Sequence, residues 1–222
     1  MENQSLDIWS LLIIIGLAQG LFVVSLMIFK RQIKAHNFWL FGLLIAIIWF
    51  QAEFLSIRYP LDVGVSIFYG TRYGSWLLLG PLYLFYIWSA TGKSISLKQT
   101  AFHFTPFLGL GIIIPVVMDG ILNFRQVHYG MLTPLDPFNE EISYLQYFYT
   151  GVFAMQFFHF LIYLIVASRH LGHQESKLKE VYSNYENESY RWLRVANISM
   201  YLVLGFATAF LVLLFFTRIY RR

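Results

Sequence analysis

The stretch from Ile8 to Phe29 reads IWSLLIIIGLAQGLFVVSLMIF, about 22 residues without a charged side chain. At a helical rise of about 1.5 Å per residue, it would cross the roughly 30 Å hydrocarbon core of a bilayer. Glu2 and Asp7 precede it without any Lys or Arg, whereas a secretory signal has a positive n-region and a shorter apolar core. We therefore predict a membrane-spanning helix and no cleaved signal peptide.

The composition of the whole chain also indicates a membrane protein. Of 222 residues, 58% are hydrophobic and 13% are charged, against roughly 25% charged in soluble domains. Aromatic residues make up 19%, and many lie near the ends of apolar runs, as in interfacial belts. The net charge of +4 is spread over loops, which indicates topology and anionic lipid rather than nucleic acid. Cysteine is absent from the sequence, which excludes disulfides and thiolate chemistry.

Five more apolar runs follow the first. The predicted spans are residues 8–29, 38–57, 68–90, 102–118, 143–167 and 195–216. We predict an all-α integral membrane protein, a single domain of residues 1–222 that forms a bundle of six transmembrane helices. Gly80-Pro81 predicts a kink in the third span, and Pro106 and Pro115 interrupt the fourth.

The distribution of Lys and Arg predicts the orientation. Positive residues concentrate in the first, third and fifth loops, whereas the opposite side holds Arg58, Arg72 and Arg125. The positive-inside rule therefore places the N-terminus outside. The arginines between 218 and 222 then also lie outside, against the rule. Either that tail is tolerated, or the natural chain continues through one more helix.

A polar run, KLKEVYSNYENESYRWLR (177–194), separates the last two spans. Ser183 followed by Glu186 matches a capping box, in which each side chain satisfies a free backbone N–H of the other residue. We predict that one helix ends near Tyr182 and that a second runs from Ser183 through Trp192 into the last span. Residues 168–194 would form a cytoplasmic coupling segment. The alternative is a solvated loop with an interfacial Trp-Leu-Arg anchor.

Four short motifs occur in order along the chain. They are GLAQGLF (16–22), GPLYLFY (80–86), HFTPF (103–107), and YSNYE (182–186) followed by RWLR (191–194). Their order and spacing resemble the membrane-embedded sensor half of bacterial AraC-type transcription regulators, which carry about seven N-terminal membrane helices. The resemblance implies a multi-pass protein of the bacterial inner membrane that receives a small-molecule or lipid signal. It also implies pairing of outputs, and hence a homodimer.

The sequence departs from that family where output is concerned. It has six predicted spans instead of seven and no helix-turn-helix domain, so direct nucleic-acid binding is assigned to no residue. The chain resembles an input half, as an excised piece, a truncated gene product or a free-standing receptor. Its output would come from a cytoplasmic domain or protein outside these residues.

Polar residues inside predicted spans are the first candidates for a site, because their burial in lipid is costly. Gln51 and Glu53 lie toward the outer end of the second span, and Arg72 and Tyr73 toward that of the third. An ion pair between Glu53 and Arg72 would lower the cost of both charges. The functional alternative is an outward-facing pocket, lined by these four residues, for a small polar ligand.

Gln156 and His159 share a face of the fifth span, and Asn197 lies one turn inside the sixth. Together with Gln51, Glu53, Arg72 and Tyr73, Gln156 and His159 are the six candidate ligand-binding residues. Hydrogen bonds between helices would explain all three residues, at about 0.6 kcal/mol each. A proton- or metal-sensing role for His159 is the functional alternative. His103 with His159 also raises bis-histidine haem ligation, but no haem motif accompanies them, so we predict no cofactor.

We expect no enzyme, because the sequence has no H-E-x-x-H or G-x-S-x-G motif and no carboxylate pair buried in the membrane. The leading interpretation is a membrane receptor module for a transcription regulator. The residues predicted to couple signal to output are Gly80, Pro81, Ser183, Glu186 and Trp192. The alternative is a small transporter or channel-like protein, which would need a polar path across the bilayer.

Overall fold

The computed structural model describes residues 7–30, 35–58, 72–113, 144–181 and 188–219. Within these ranges the chain forms six α-helices and one π-helical segment, and no strand. The helices are α1 (Ile8–Phe29), α2 (Ala35–Arg58), α3 (Arg72–Ala90), α4 (Leu97–Phe107), α5 (Tyr144–Val181) and α6 (Glu188–Ile219). The π segment (Leu108–Ile113) directly follows α4. The predicted all-helical fold is confirmed for the part described.

Three helices are long and apolar enough to cross a membrane. Their span-length stretches are Ser10–Phe29 in α1, Ala154–Lys177 in α5 and Tyr190–Ala209 in α6. Two other helices contain shorter apolar stretches, Asn37–Glu53 in α2 and Trp76–Ala90 in α3. The described residues thus contain three helices that are both long and apolar enough to span a membrane, whereas the sequence pattern predicts six. Length and composition support membrane association through these three helices.

The predicted fourth span is divided in the structure. Its helix α4 begins at Leu97, five residues before the predicted start of 102, and gives way to π-helical backbone at Leu108. A capping box fixes the start of α4, because Ser96 Oγ accepts from the Gln99 amide and Gln99 Oε1 accepts from the Ser96 amide. Pro115, the second proline that was expected to interrupt this span, lies outside the described residues.

Helix α3 is the centre of the bundle. It packs against α2, α4, the π segment and α5, while α1 packs on α2 and α6 packs on α5. Most side chains from Leu77 to Trp88 are buried, including the large rings of Tyr83 and Phe85. A helix that is apolar all round is buried either in protein or in a membrane, and most of α3 is buried in protein.

Two glycines of α3 allow close packing of its neighbours. A Cβ atom on Gly80 would lie 2.7 Å from the Tyr163 ring of α5, and one on Gly74 would lie 2.4 Å from the Gly111 Cα of the π segment. Ordinary carbon–carbon contacts are about 3.5–4.0 Å long. The backbone of α3 therefore meets α5 and the π segment at points where it carries no side chain. Helix α3 continues through the buried Pro81, and a kink there stays a prediction.

Helix α5 is far longer than the predicted fifth span of 143–167. Its 38 residues correspond to about 57 Å, almost twice the hydrocarbon thickness of a bilayer. Residues 168–181, which the sequence pattern assigns to a coupling segment, continue the same helix. Helix α6 begins at Glu188. Ser183 and Glu186 lie outside the described residues, so the capping box predicted there stays a prediction.

Candidate functional site

A cavity of about 540 Å³ lies between α3, α4 and α5. This volume is in the range of small-molecule binding pockets, roughly 300–1,000 Å³. Six apolar side chains form most of its wall: Leu84, Trp88, Phe102, Pro106, Ile162 and Val166. Four residues with polar groups complete it: His103, Thr105, His159 and Tyr163. None of the lining residues carries a carboxylate, a guanidinium or an ammonium group.

The polar groups of the cavity centre on Tyr163. A hydrogen bond of 2.6 Å joins its hydroxyl to His103 Nδ1 across the α4–α5 contact. The His159 ring, one turn earlier on α5, has its centroid 4.7 Å from that of the Tyr163 ring. His159 Nδ1 is buried and has no hydrogen-bond partner among the residues that the structure describes. The wall of the cavity therefore contains one unpaired imidazole nitrogen next to the hydrogen-bonded pair of Tyr163 and His103.

The packing around these side chains follows from the helix contacts. Gly80 leaves room for the Tyr163 ring on the surface of α3. Gly92, with φ of +79°, is in the left-handed region that glycine adopts at low cost, and it turns the chain from α3 toward α4. His103 then lies edge-on to Phe85 and Trp88 of α3, at centroid distances of 5.3 and 6.2 Å.

The cavity opens on the outer surface of the helices. Phe102 of α4 is 76% exposed, and Ile162 and Val166 of α5 are 59% and 40% exposed. These apolar side chains form a rim, while Leu84 and Tyr163 are buried behind it. An uncharged cavity with this lining can hold an apolar body and hydrogen-bond one polar end.

A second group of polar side chains joins α3, α5 and α6. Tyr83 Oη donates to Asn197 Oδ1 at 3.0 Å, and Asn197 Nδ2 donates to Ser168 Oγ at 2.6 Å. The hydroxyl of Tyr201 lies 3.1 Å from that of Ser168. Tyr83 and Asn197 are buried. The interhelical hydrogen bonding expected for Asn197 is confirmed, and we call these four residues the buried network.

Further contacts tie the helix ends together. Thr91 Oγ1, just after α3, lies 2.8 Å from His170 Nε2 of α5. Trp192, which is largely exposed at the start of α6, lies near Tyr86 of α3. Arg194 forms an ion pair with Glu175 of α5. The first turns of α6 are thus bound to α5.

The residues of the predicted outward-facing pocket do not line this cavity. Gln51 of α2 lies against α1, where a Cβ on Gly16 would be 2.9 Å from its Nε2. Glu53 and Gln156 are each 1% exposed. The side chains of Arg72 and Tyr73 lie outside the described part, so that pocket and the Glu53–Arg72 ion pair stay predictions. Of the six candidate ligand-binding residues, His159 is the one that the cavity contains.

The predicted coupling residues have different positions. Gly80 and Pro81 lie in the buried part of α3. The Tyr163 ring, which lines the cavity, packs against Gly80. Trp192 is largely exposed at the start of α6, near Tyr86 of α3. Ser183 and Glu186 are outside the described residues.

Sequence reasoning missed Tyr163 and Thr105. Tyr163 follows His159 by four residues, a spacing that places both on one helix face and that was available as a signal. His103 and His159, which the haem hypothesis joins, both line the cavity, and a Soret absorbance band would test that hypothesis. Within the described ranges, no group of three or more His, Asp or Glu residues is arranged to hold a metal ion.

Comparison of the chain with protein-family models, curated proteins and solved structures finds no match.

Proposed function

We propose that this chain is a membrane receptor module that passes a signal from the cavity to a cytoplasmic transcriptional output. One observation carries the proposal: a single helix, α5, holds both the cavity and the buried network. Tyr163 lines the cavity, and Ser168, five residues later, hydrogen-bonds Asn197 of α6. A ligand that moves this part of α5 would change the contacts that hold α6.

The proposed setting is the bacterial inner membrane, with six spans and the N-terminus outside. In this arrangement α2 and α3 complete the spans supplied by α1, α5 and α6, and α4 with the π segment enters the bilayer beside α3. The polar ends of α5 and α6 then extend into the cytoplasm. There they would contact an output domain or protein outside these 222 residues.

The proposed mechanism is a shift between two packings of α5 and α6. A ligand changes such an equilibrium only if it binds the two packings with different affinity. The Tyr163–His103 hydrogen bond and the His159 ring in the cavity wall would supply that difference, because both depend on how α5 faces α4. The buried network and the Arg194–Glu175 pair would then re-form in a new register.

The test is a transcript profile in the source cells. It compares a gene deletion with deletions complemented by the wild-type gene, by Asn197→Ala and by Ser199→Ala. Ser199 is an exposed serine of α6 that bonds only the Val195 carbonyl of its own helix among the described contacts, so it serves as the control. The proposal predicts that deletion alters a restricted set of transcripts. Asn197→Ala should reproduce that change at an unchanged protein level in the membrane, and Ser199→Ala should not.

Unchanged transcripts in the deletion strain would contradict a receptor for transcription. Flux of a solute through proteoliposomes that contain the protein, together with unchanged transcripts, would instead favour the transporter alternative.

A further inference from the structure

We infer that the cavity binds a single-chain amphiphile with an uncharged oxygen-bearing head group, which enters sideways from the bilayer. The inference deepens the proposed function by naming the class of ligand, and it rests on that function's membrane-spanning arrangement. It departs from the small polar ligand of the sequence-based hypothesis, which would bind at the other end of α3.

The route of entry follows from the rim. Phe102, Ile162 and Val166 are exposed apolar side chains, and the two on α5 belong to a stretch of spanning length, Ala154–Lys177. On a membrane helix, exposed apolar side chains face lipid, so the mouth opens toward acyl chains. A molecule already dissolved in the bilayer can enter without crossing water.

The walls select the apolar part of the ligand. Six of the ten lining residues are apolar, and they surround the space between the rim and Tyr163. A volume of about 540 Å³ suits a drug-sized molecule. That is the size class of a single-chain amphiphile and not of a phospholipid with two chains.

The polar end of the cavity selects the head group. The imidazole of His159 lines the cavity, while its Nδ1 is buried in the wall without a hydrogen-bond partner among the described residues. Depending on tautomer, an imidazole nitrogen donates or accepts, so a hydroxyl or a carbonyl oxygen can pair with the edge of the ring that faces the cavity. Tyr163 and His103, which are hydrogen-bonded to each other, and Thr105 are the other polar residues of the lining.

The charges around the cavity exclude ionic head groups. No lining residue is an acid, an arginine or a lysine. Lys93 is close, but its Nζ lies 3.4 Å above the Trp88 ring and the residue is not part of the lining. A buried ionic head would lose hydration without gaining a counter-charge, which is strongly unfavourable.

The binding test uses a twelve-carbon alcohol with a diazirine in its chain, photolysed with the full-length protein in lipid nanodiscs. Adducts are mapped by peptide mass spectrometry. We expect them to concentrate in α4 and in residues 159–166 of α5. Adducts spread evenly over the exposed apolar residues of α1, α5 and α6 would mean partitioning into lipid around the protein, and would overturn the inference.

Competition with unlabelled compounds of the same chain length tests the head group. Dodecanol should suppress the cavity adducts at the lowest concentration. Dodecane, which forms no hydrogen bond, should need about tenfold more, as expected for one lost hydrogen bond. Dodecyltrimethylammonium and dodecanoate should compete more weakly than dodecanol. Equal competition by all four compounds, or strongest competition by either ion, would overturn the assignment of the head group.

Two pairs of variants locate the site. Ile162→Trp should block the mouth and remove the adducts, whereas Ile198→Trp, a residue of similar exposure on α6 (53%), should leave them unchanged. His159→Leu should weaken dodecanol competition about tenfold without affecting dodecane, and His173→Leu, an exposed histidine of the same helix, should change neither. Adducts that persist in Ile162→Trp would contradict the cavity as the site.

The source of the ligand is a separate arm of the experiment. Solvent extraction of purified wild-type protein and of Ile162→Trp, followed by mass spectrometry, shows whether a resident amphiphile is lost with the cavity. A compound found only with the wild type supports a constituent of the bilayer. An empty cavity that still binds the probe supports a signal from outside. Binding without any transcript change in the deletion strain would contradict the proposed function alone, and the reverse result would contradict the ligand alone.

Discussion

The contact between Gly80 and Tyr163 connects the cavity to the centre of the bundle at the scale of single residues. A residue other than glycine at position 80 would have its Cβ 2.7 Å from the Tyr163 ring. The ring can pack this close to α3 because Gly80 has no side chain. Its hydroxyl then reaches His103 of α4. One absent side chain thus positions the hydrogen bond that faces the ligand space. The kink that the sequence predicts at Gly80-Pro81 stays a prediction, and the structure adds a role for Gly80 in close packing.

Substitution of Gly80 by alanine should therefore destabilise the protein. The added methyl group has to displace a buried aromatic ring, and overpacking of this kind costs about 1–3 kcal/mol. The free energy of unfolding is measured by denaturant titration in detergent micelles. Gly172→Ala is the control. Apart from the nearby backbone of its own helix, an added Cβ at Gly172 would have no atom within 4 Å, and alanine is the better helix former there. A Gly80→Ala protein as stable as Gly172→Ala would show that α3 and α5 do not approach this closely.

The Tyr163 hydroxyl can be tested separately from its ring. Tyr163→Phe keeps the packing against Gly80 and removes the hydrogen bond to His103, which should lower the free energy of unfolding by about 1 kcal/mol. His103→Phe should lower it by a similar amount. If the two residues act as a pair, the double variant should lose less than the sum of the single losses. Additive losses in this double-mutant cycle would contradict the hydrogen bond.

At the scale of elements, α5 is one continuous helix where the sequence pattern predicts a membrane span (143–167) followed by a coupling segment (168–194). Hydropathy ends the fifth span at residue 167, because Arg169 and His170 follow, yet the helix continues to Val181. Hydropathy shows where a helix stops being apolar, but it does not show where the helical backbone ends. The α4 start was readable from Ser96 and Gln99, as a capping box is a local feature. The cavity was not readable, because His103, His159 and Tyr163 meet only through helix packing.

We predict that the hydrogen bonds of the buried network help to hold α6 against α5. Asn197→Ala removes hydrogen bonds to Tyr83 and Ser168, and such bonds in membrane bundles contribute about 0.6 kcal/mol on average. We expect about 1 kcal/mol of destabilisation and a greater separation between α5 and α6. Because the sequence has no cysteine, spin labels at Gly172→Cys and Arg191→Cys can report that distance in nanodiscs.

The control for the spin-label measurement is Ser199→Ala in the same labelled background, since that serine bonds its own helix among the described contacts. A distance distribution that is unchanged by Asn197→Ala would show that the Arg194–Glu175 pair and the packing of α6 on α5 hold α6 without the Asn197 hydrogen bonds. The buried network would then not serve as the link from the cavity to α6.

At the scale of the whole molecule, the sequence predicts the helices of the described residues, whereas the number of spans stays a prediction. The first span and α1 both run from Ile8 to Phe29, because Asp7 caps the helix and Lys30 ends the apolar run. Among the described residues, the apolar stretches of α2 and α3 are Asn37–Glu53 and Trp76–Ala90. A central helix such as α3 is enclosed by protein, so its hydropathy reflects packing as much as contact with lipid.

The predicted topology of six spans can be tested by labelling single cysteines from one side of the membrane. Single cysteines at Ser5 and at Ser94, in the turn between α3 and α4, should fall on opposite sides of the membrane if α1, α2 and α3 all cross it. A membrane-impermeant maleimide applied to intact cells should label Ser5→Cys, and Ser94→Cys should react only after the cells are opened. Three crossings before Ser94 produce this asymmetry, whereas two crossings would place both cysteines outside. Labelling of both in intact cells would mean that one of the shorter apolar helices, α2 or α3, does not span, and the mouth of the cavity would then have to be placed at a different depth.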